Sequence, residues 1–290
     1  MPAYPTGSEV TVTVADVALP EYWEAVALRG RYANSVLAKP EVVTFKMSKG
    51  KKFGDNYNFT ETSVLSTNAV SADGAVANQS LTHTQRQVAL SLWREVTITV
   101  PDRTQIQSVL DYGEEFSFNA GKAMGVYEDD SIADDHGSYT GTNAIGDVAD
   151  PGAMSDDLAL EAVVILDNNN IPAEDRTWAF SPRAKADLLK MDKFTLANAT
   201  GFSKGVQLTG EFGDLYGNRV LTTSRIVATG TPSVRKNLYL HKEACALVME
   251  RSLNVEVLAR VGKATTWSAD ILFGEAVIRT THGVTINTKA

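Results

Sequence analysis

The chain has 290 residues, 43% of them hydrophobic, with 21 glycines and 9 prolines, a makeup that can bury a substantial core in one large domain or two lobes and is not that of a disordered chain. The lone cysteine, Cys245, excludes an internal disulfide, and no apolar run is long enough for a membrane helix. The net charge of −8 is uneven, because residues 111–175 hold sixteen acids and one base, Lys122, so this middle section cannot by itself attract nucleic acid.

The start, MPAYPTGSEVTV, lacks the basic start and apolar run of a secretory leader, so a soluble cytoplasmic protein is expected. Residues 1–15 read as an extended arm, with Val10, Val12 and Val14 alternating with threonines. From Pro20 to Leu37 the stripe Trp23, Val26, Ala27, Gly30, Ala33, Leu37 predicts a short amphipathic helix that Lys39-Pro40 ends. Residues 41–100 carry strand signals: Val43, Phe45 and Met47, then Tyr57 and Phe59, then Val88, Leu90 and Leu92, then Val96, Ile98 and Val100, all at a period of two. Between these strands the run from Ser66 to Asn78 is small and polar, an exposed tip. A two-stranded excursion of this kind is marginal alone, so it needs support, with another subunit the obvious source.

Asp102 to Tyr127 predicts one long helix. Ile106, Val109, Leu110, Gly113, Phe116, Ala120, Ala123, Met124 and Tyr127 share a face, and Asp102 with Gln105 forms a capping-box pattern. At 1.5 Å per residue it would be roughly 40 Å long. Gly113, Gly121 and Gly125 each weaken it by about 1 kcal/mol relative to alanine, so tertiary packing must hold it. The acids from Glu128 to Asp135 then read as a solvated helix end, since they lack the Asp-x-Asp-x-Asp-Gly order of a calcium loop.

Ser155 predicts a helix cap, with Asp156 and Asp157 at the positive end of the helix, and Asn168-Asn-Asn170 its stop. Thr177-Trp-Ala-Phe180 reads as a buried strand and Ser181-Pro182 as the start of a helix reaching Met191. Thr200 to Gly217 is loop-like. Strands are predicted at Asn218–Thr223, Asn237–His241, Ala246–Met249, Val255–Val261, Trp267–Phe273, Ala276–Thr280 and Val284–Ile286. Helices and strands are segregated, so the fold class is α+β.

No catalytic, cofactor-binding or metal-ligating residue is assigned, and no enzyme is expected. The histidines at 83, 136, 241 and 282 have no zinc spacing to one another or to Cys245, which reads as a small core residue. There is no G-x-S-x-G, P-loop or G-x-G-x-x-G.

The order of elements resembles the major capsid protein of tailed bacteriophages, the Johnson fold. Val96-Thr-Ile-Thr-Val-Pro-Asp-Arg-Thr-Gln is similar to the end of that family's extension loop entering its spine helix. Thr177-Trp-Ala-Phe-Ser-Pro182 is similar to the strand-to-helix step of its axial lobe. His241-Lys-Glu-Ala244 and Gly274-Glu-Ala-Val-Ile-Arg-Thr resemble the return into its peripheral lobe. The resemblance implies an N-terminal arm (1–40), an extension-loop β-ribbon (41–100), the spine helix with the start of the peripheral lobe (101–140), an axial lobe (141–249) and closing strands of the peripheral lobe (250–290). It implies copies arranged as pentamers and hexamers of an icosahedral shell around double-stranded DNA contacted non-specifically. Scaffold, portal and decoration proteins are the further partners, no membrane is involved, and the location is the virion, with the host cytoplasm during assembly. The alternatives are an encapsulin-type nanocompartment shell of the same fold and, from a different class, an enzyme of unrecognised type. Candidate contacts between copies are Lys46, Lys49, Lys51, Lys52 and Trp23. The acids from Glu128 to Asp135 are expected to sit away from DNA or to meet such lysines from a neighbour.

Overall fold

A computed structural model describes residues 12–48, 54–63, 65–70, 74, 78–107, 112–139, 143–191, 213–260 and 264–290. Two long antiparallel strands, β11 (Cys245–Arg260) and β12 (Ala264–Val277), form its axis. Strand β1 (Thr44–Met47) pairs with β11 in parallel, and β4 (Leu92–Pro101) pairs with β12, giving a four-stranded sheet in the order β1-β11-β12-β4. The sequence predicts four shorter strands where β11 and β12 stand. Their apparent breaks are absorbed locally: an irregularity in register between Met249 and Asn254 leaves β11 continuous. Gly274 stays within β12 because another backbone passes over it, where an added Cβ would lie 2.2 Å from Ala89 O.

Helix α1 (Val12–Asn34) begins earlier than predicted and takes residues 12–15 out of the expected extended arm. Residues 1–11 lie outside the described ones. The predicted long helix is described as α2 (Asp102–Gln107) and α3 (Tyr112–Asp134), with 108–111 outside the described residues. Helix α3 also runs past Tyr127, through most of the acidic run. α1 and α3 lie side by side and parallel, since Trp23 meets Gly113, Ala27 meets Gly121 and Arg31 meets Gly125. A Cβ on Gly121 would lie 1.8 Å from Ala27 O, and one on Gly30 2.3 Å from Phe118 O. The glycines that weaken α3 as an isolated helix therefore form the seam that lets two backbones touch. Phe116, Ala120, Met124 and Ile132 bury the adjoining face in a core shared with Leu247, Leu253, Ile271 and Phe273 of the sheet.

Strands β2 (Asn56–Thr62) and β3 (His83–Ala89) form the two-stranded ribbon that the alternation predicts. Its base is supported within the chain: Val88 and Leu90 are buried against Ala246, Val248 and Ile278, with Tyr57 and Phe59 packed beside them. Toward the tip the support ends, and Leu65, Val70 and Leu81 are exposed.

The strands of a second sheet are β5 (Ala144–Ile145), β6 (Arg176–Phe180), β7 (Asp214–Leu215), β8 (Asn218–Thr222), β9 (Ala228–Thr229), β10 (Val234–His241) and β13 (Gly283–Lys289). Their order is β5-β13-β10-β6-β8-β7, with β9 also on β10. Helix α4 (Asp156–Asn168) starts as predicted, with Leu158 N donating to Ser155 Oγ at 3.3 Å. Helix α5 (Pro182–Leu188) starts with Ala184 N donating to Ser181 Oγ at 3.2 Å, although it stops short of Met191. All five residues of β6 are buried. Trp178 stacks on Tyr239 with ring centroids 3.7 Å apart, and its Nε1 donates to Leu215 O at 3.0 Å. Leu166, Phe180, Leu188 and Ile286 complete this second core.

Candidate assembly surfaces and polar centres

The two sheets are joined by two short crossings: β10 to β11 through residues 242–244, and β12 to β13 through 278–282. The crossings are tied to each other by Ile278 N and Arg279 N, which donate to Ala244 O at 2.8 and 3.1 Å. The rings of His241 and His282 meet edge to face there, with centroids 5.6 Å apart. Burial pushes both imidazoles below their usual pKa, and the Arg279 guanidinium adds to the effect. Arg279 also bridges Glu243 to Glu61 of the ribbon, at 3.3 Å from the latter. One side chain thereby links the ribbon to the junction of both sheets.

The acidic run is not the solvated helix end that its charge suggests. Glu128 follows Gly121 and Gly125 on the buried stripe of α3 and is paired with Arg31, Nε to Oε2 being 2.8 Å. Burial raises the Glu128 carboxyl pKa while Arg31 opposes the rise. Asp129 accepts Leu37 N and Ala38 N on Oδ1 at 2.9 and 2.8 Å, and Val36 N on Oδ2 at 2.7 Å. Ser35 Oγ donates to the same carboxylate at 3.1 Å. These are amides that helix carbonyls would otherwise take, so Asp129 both stops α1 and turns the chain toward β1. Asp130 Oδ1 lies 3.7 Å from Arg225 Nη1, so three of the acids meet partners inside their own chain. The signal was present at helical spacing (Gly121, Gly125, Glu128, Ile132), but a partner 97 positions away is invisible to a local reading.

A second buried centre joins Asp135 to Cys245 and Glu275, where burial and Glu275 push the Asp135 carboxyl up to about 9. Cys245 is buried, as predicted.

Two apolar features are open on the surface of the described residues. Between β4 and α3 an open groove is lined by Val96, Ile98, Tyr112, Phe116 and Ala120. Trp93, near the start of β4, points outward and is 68% exposed, with its Nε1 3.1 Å from Asp270 Oδ2. Of the candidate contacts, Lys46 is exposed on β1 and lines a cavity of about 250 Å³ with Phe59, Glu61, Arg86 and Arg279. Lys49, Lys51 and Lys52 lie outside the described residues. Trp23 is half-buried and packs in its own chain, in the slot left by Gly113.

No sequence-family model matches the chain, and no curated protein matches it in sequence. Solved structures share its fold. A chain of Mycobacterium phage Che8 aligns with TM-score 0.66 at 20% identity, over 80% of this chain and 84% of that one. The capsid of the cyanophage P-SCSP1u aligns with TM-score 0.69 at 15% identity, over 85% and 86%. A virus-like particle from Pyrococcus furiosus aligns with TM-score 0.58 at 14% identity, over 92% and 98%.

Proposed function

We propose that this chain, which has the tailed-phage capsid fold, is a major capsid protein whose mechanism is self-assembly into an icosahedral shell around double-stranded DNA. The observation that carries the reading is the likeness to solved capsids along most of the chain. The distribution of support within the subunit agrees with it. A firm body is made by the α1–α3 seam and the two sheets, while the distal ribbon leaves Leu65, Val70 and Leu81 exposed. Burying such side chains against neighbours is the driving force that association needs.

In this reading residues 41–100 are the extension loop that overlaps an adjacent copy, α3 is the spine, 141–249 form the axial lobe and 250–290 close the peripheral lobe. Pentamers and hexamers of one chain require compliant parts on a rigid core, and the N-terminal arm, the extension loop and the loops of the axial lobe are the parts proposed to supply the compliance. Scaffold, portal and decoration proteins belong to the same proposal, as do the virion as final location and the host cytoplasm as the place of assembly. A shell subunit has no need of a catalytic site.

Nuclease treatment of particles purified from their native source, followed by extraction, tests the content. Protected double-stranded DNA is the expected result. Particles carrying protein cargo and no DNA would indicate a nanocompartment instead, and the absence of particles would overturn both.

A further inference from the structure

The end of α3, the start of β11 and the end of β12 converge on one thiol and two carboxylates. The ligand-capable atoms of Asp135, Cys245 and Glu275 all lie within 4.8 Å of one another. Cys245 is paired across the sheet with Val277, and Glu275 with Leu247, so the two side chains stand two positions apart on the same face. Cys245 Sγ is 3.3 Å from Glu275 Oε1. Ser131 Oγ, one helical turn before Asp135, donates to Glu275 Oε2 at 2.8 Å and fixes how that carboxylate points.

Asp135 and Glu275 face each other as two carboxyls, and a proton held on Asp135 is shared with Glu275 and Cys245. One oxygen here has no hydrogen-bond partner among the described residues: the hydroxyl of Tyr139, a side chain with no exposed surface, whose pKa is raised by burial and then by Cys245, Asp135 and Glu275. Buried polar atoms are nearly always satisfied, and each exception calls for a cause. A cation held by the thiol and the two carboxylates supplies one.

We infer that Asp135, Cys245 and Glu275 form a binding site for one zinc-class divalent cation, with the Tyr139 oxygen or solvent in the fourth position. The donor set selects the class. A thiolate is a poor ligand for the hard cations calcium and magnesium, whereas zinc accepts sulfur and carboxylate oxygen together in a tetrahedron. Ser131 supplies the outer hydrogen bond that such ligands require. Asp135 and Glu275 are only half-buried, which leaves a way in, while Cys245 closes the bottom of the site. Binding displaces two protons to solvent, the thiol's and the one that Asp135 carries at neutral pH. The bound ion clips the end of α3 to both central strands and, because it binds only the folded chain, stabilises it by mass action. This inference does not depend on the shell reading.

The test is a cobalt(II) titration of the full-length chain after dialysis against a chelator, followed by competition with zinc(II). The expected result is saturation at one equivalent, with a thiolate-to-cobalt charge-transfer band that zinc removes. Cys245→Ser should abolish the band. Ser131→Ala should lower the affinity about 10- to 100-fold with the band retained. No band in the wild-type chain, or an unchanged band in Cys245→Ser, overturns the inference. The wild-type titration decides by itself if a variant does not fold.

Discussion

Arg31 Nε lies 2.8 Å from Glu128 Oε2, and the two side chains are 1% and 0% exposed. The pair fastens α1 to α3. A buried pair of this kind adds little over apolar packing, but removing one partner strands a charge. Glu128→Ala should therefore destabilise the subunit by about 3–5 kcal/mol, whereas Arg31→Met with Glu128→Leu should be close to neutral. Denaturant unfolding of the free subunit measures both, and a single variant as stable as wild type would show that the pair is not buried.

The seam between the same helices makes a steric prediction. Gly121→Ala puts a Cβ where Ala27 O already stands, and both atoms belong to backbones that cannot rotate away. The cost expected for such overpacking is about 1–3 kcal/mol. Gly137→Ala is the control, because no described atom lies within 4 Å of its Cβ position. Equal melting of the two variants would mean that α1 and α3 are farther apart than described.

Much of this fold is legible locally, and what is not has a common cause. The Ser155 cap, the buried run Thr177–Phe180 and the alternation leading into β4 follow from neighbours in sequence, and the structure keeps all three. Glu128 and Asp129 read as solvated because their partners, Arg31 and the amides of Val36 to Ala38, lie more than ninety positions away. Gly121 and Gly274 look like weaknesses until the backbones of Ala27 and Ala89 are laid against them. The candidate contacts rest on charge and size alone. Those two properties could not separate Trp23, packed in its own chain, from Trp93, which faces outward.

The junction of the two sheets should respond to acid. His241 and His282 are depressed by burial and then by positive neighbours: Arg176 and Arg279 around His241, and Arg279 and His241 around His282. Glu243 and Asp175 oppose the shift at His241, and Glu243 and Glu61 at His282. A histidine whose folded pKa is lowered binds its proton more readily when unfolded. Its stabilisation is thus complete above about pH 6.5 and declines as pH falls below it. The melting temperature should drop on acidification below about pH 6.5, and His241→Gln with His282→Gln should flatten that part of the curve. An identical slope in the double variant would assign the acid response elsewhere.

Lys51 and Lys52 remain proposed contacts between copies. Exposed pairs are worth only about 0–1 kcal/mol each, yet a shell repeats each one at every equivalent position. Reversing both to glutamate should reduce assembly yield, most at low salt, where screening is weakest. A yield equal to wild type at every ionic strength would leave this segment merely solvated.

Electron microscopy of the chain expressed alone or with its scaffold tests the central claim most directly. The account predicts closed shells of icosahedral symmetry in which the ribbon of residues 56–89 lies on an adjacent copy. Monodisperse monomers across all salts and scaffold additions would contradict it.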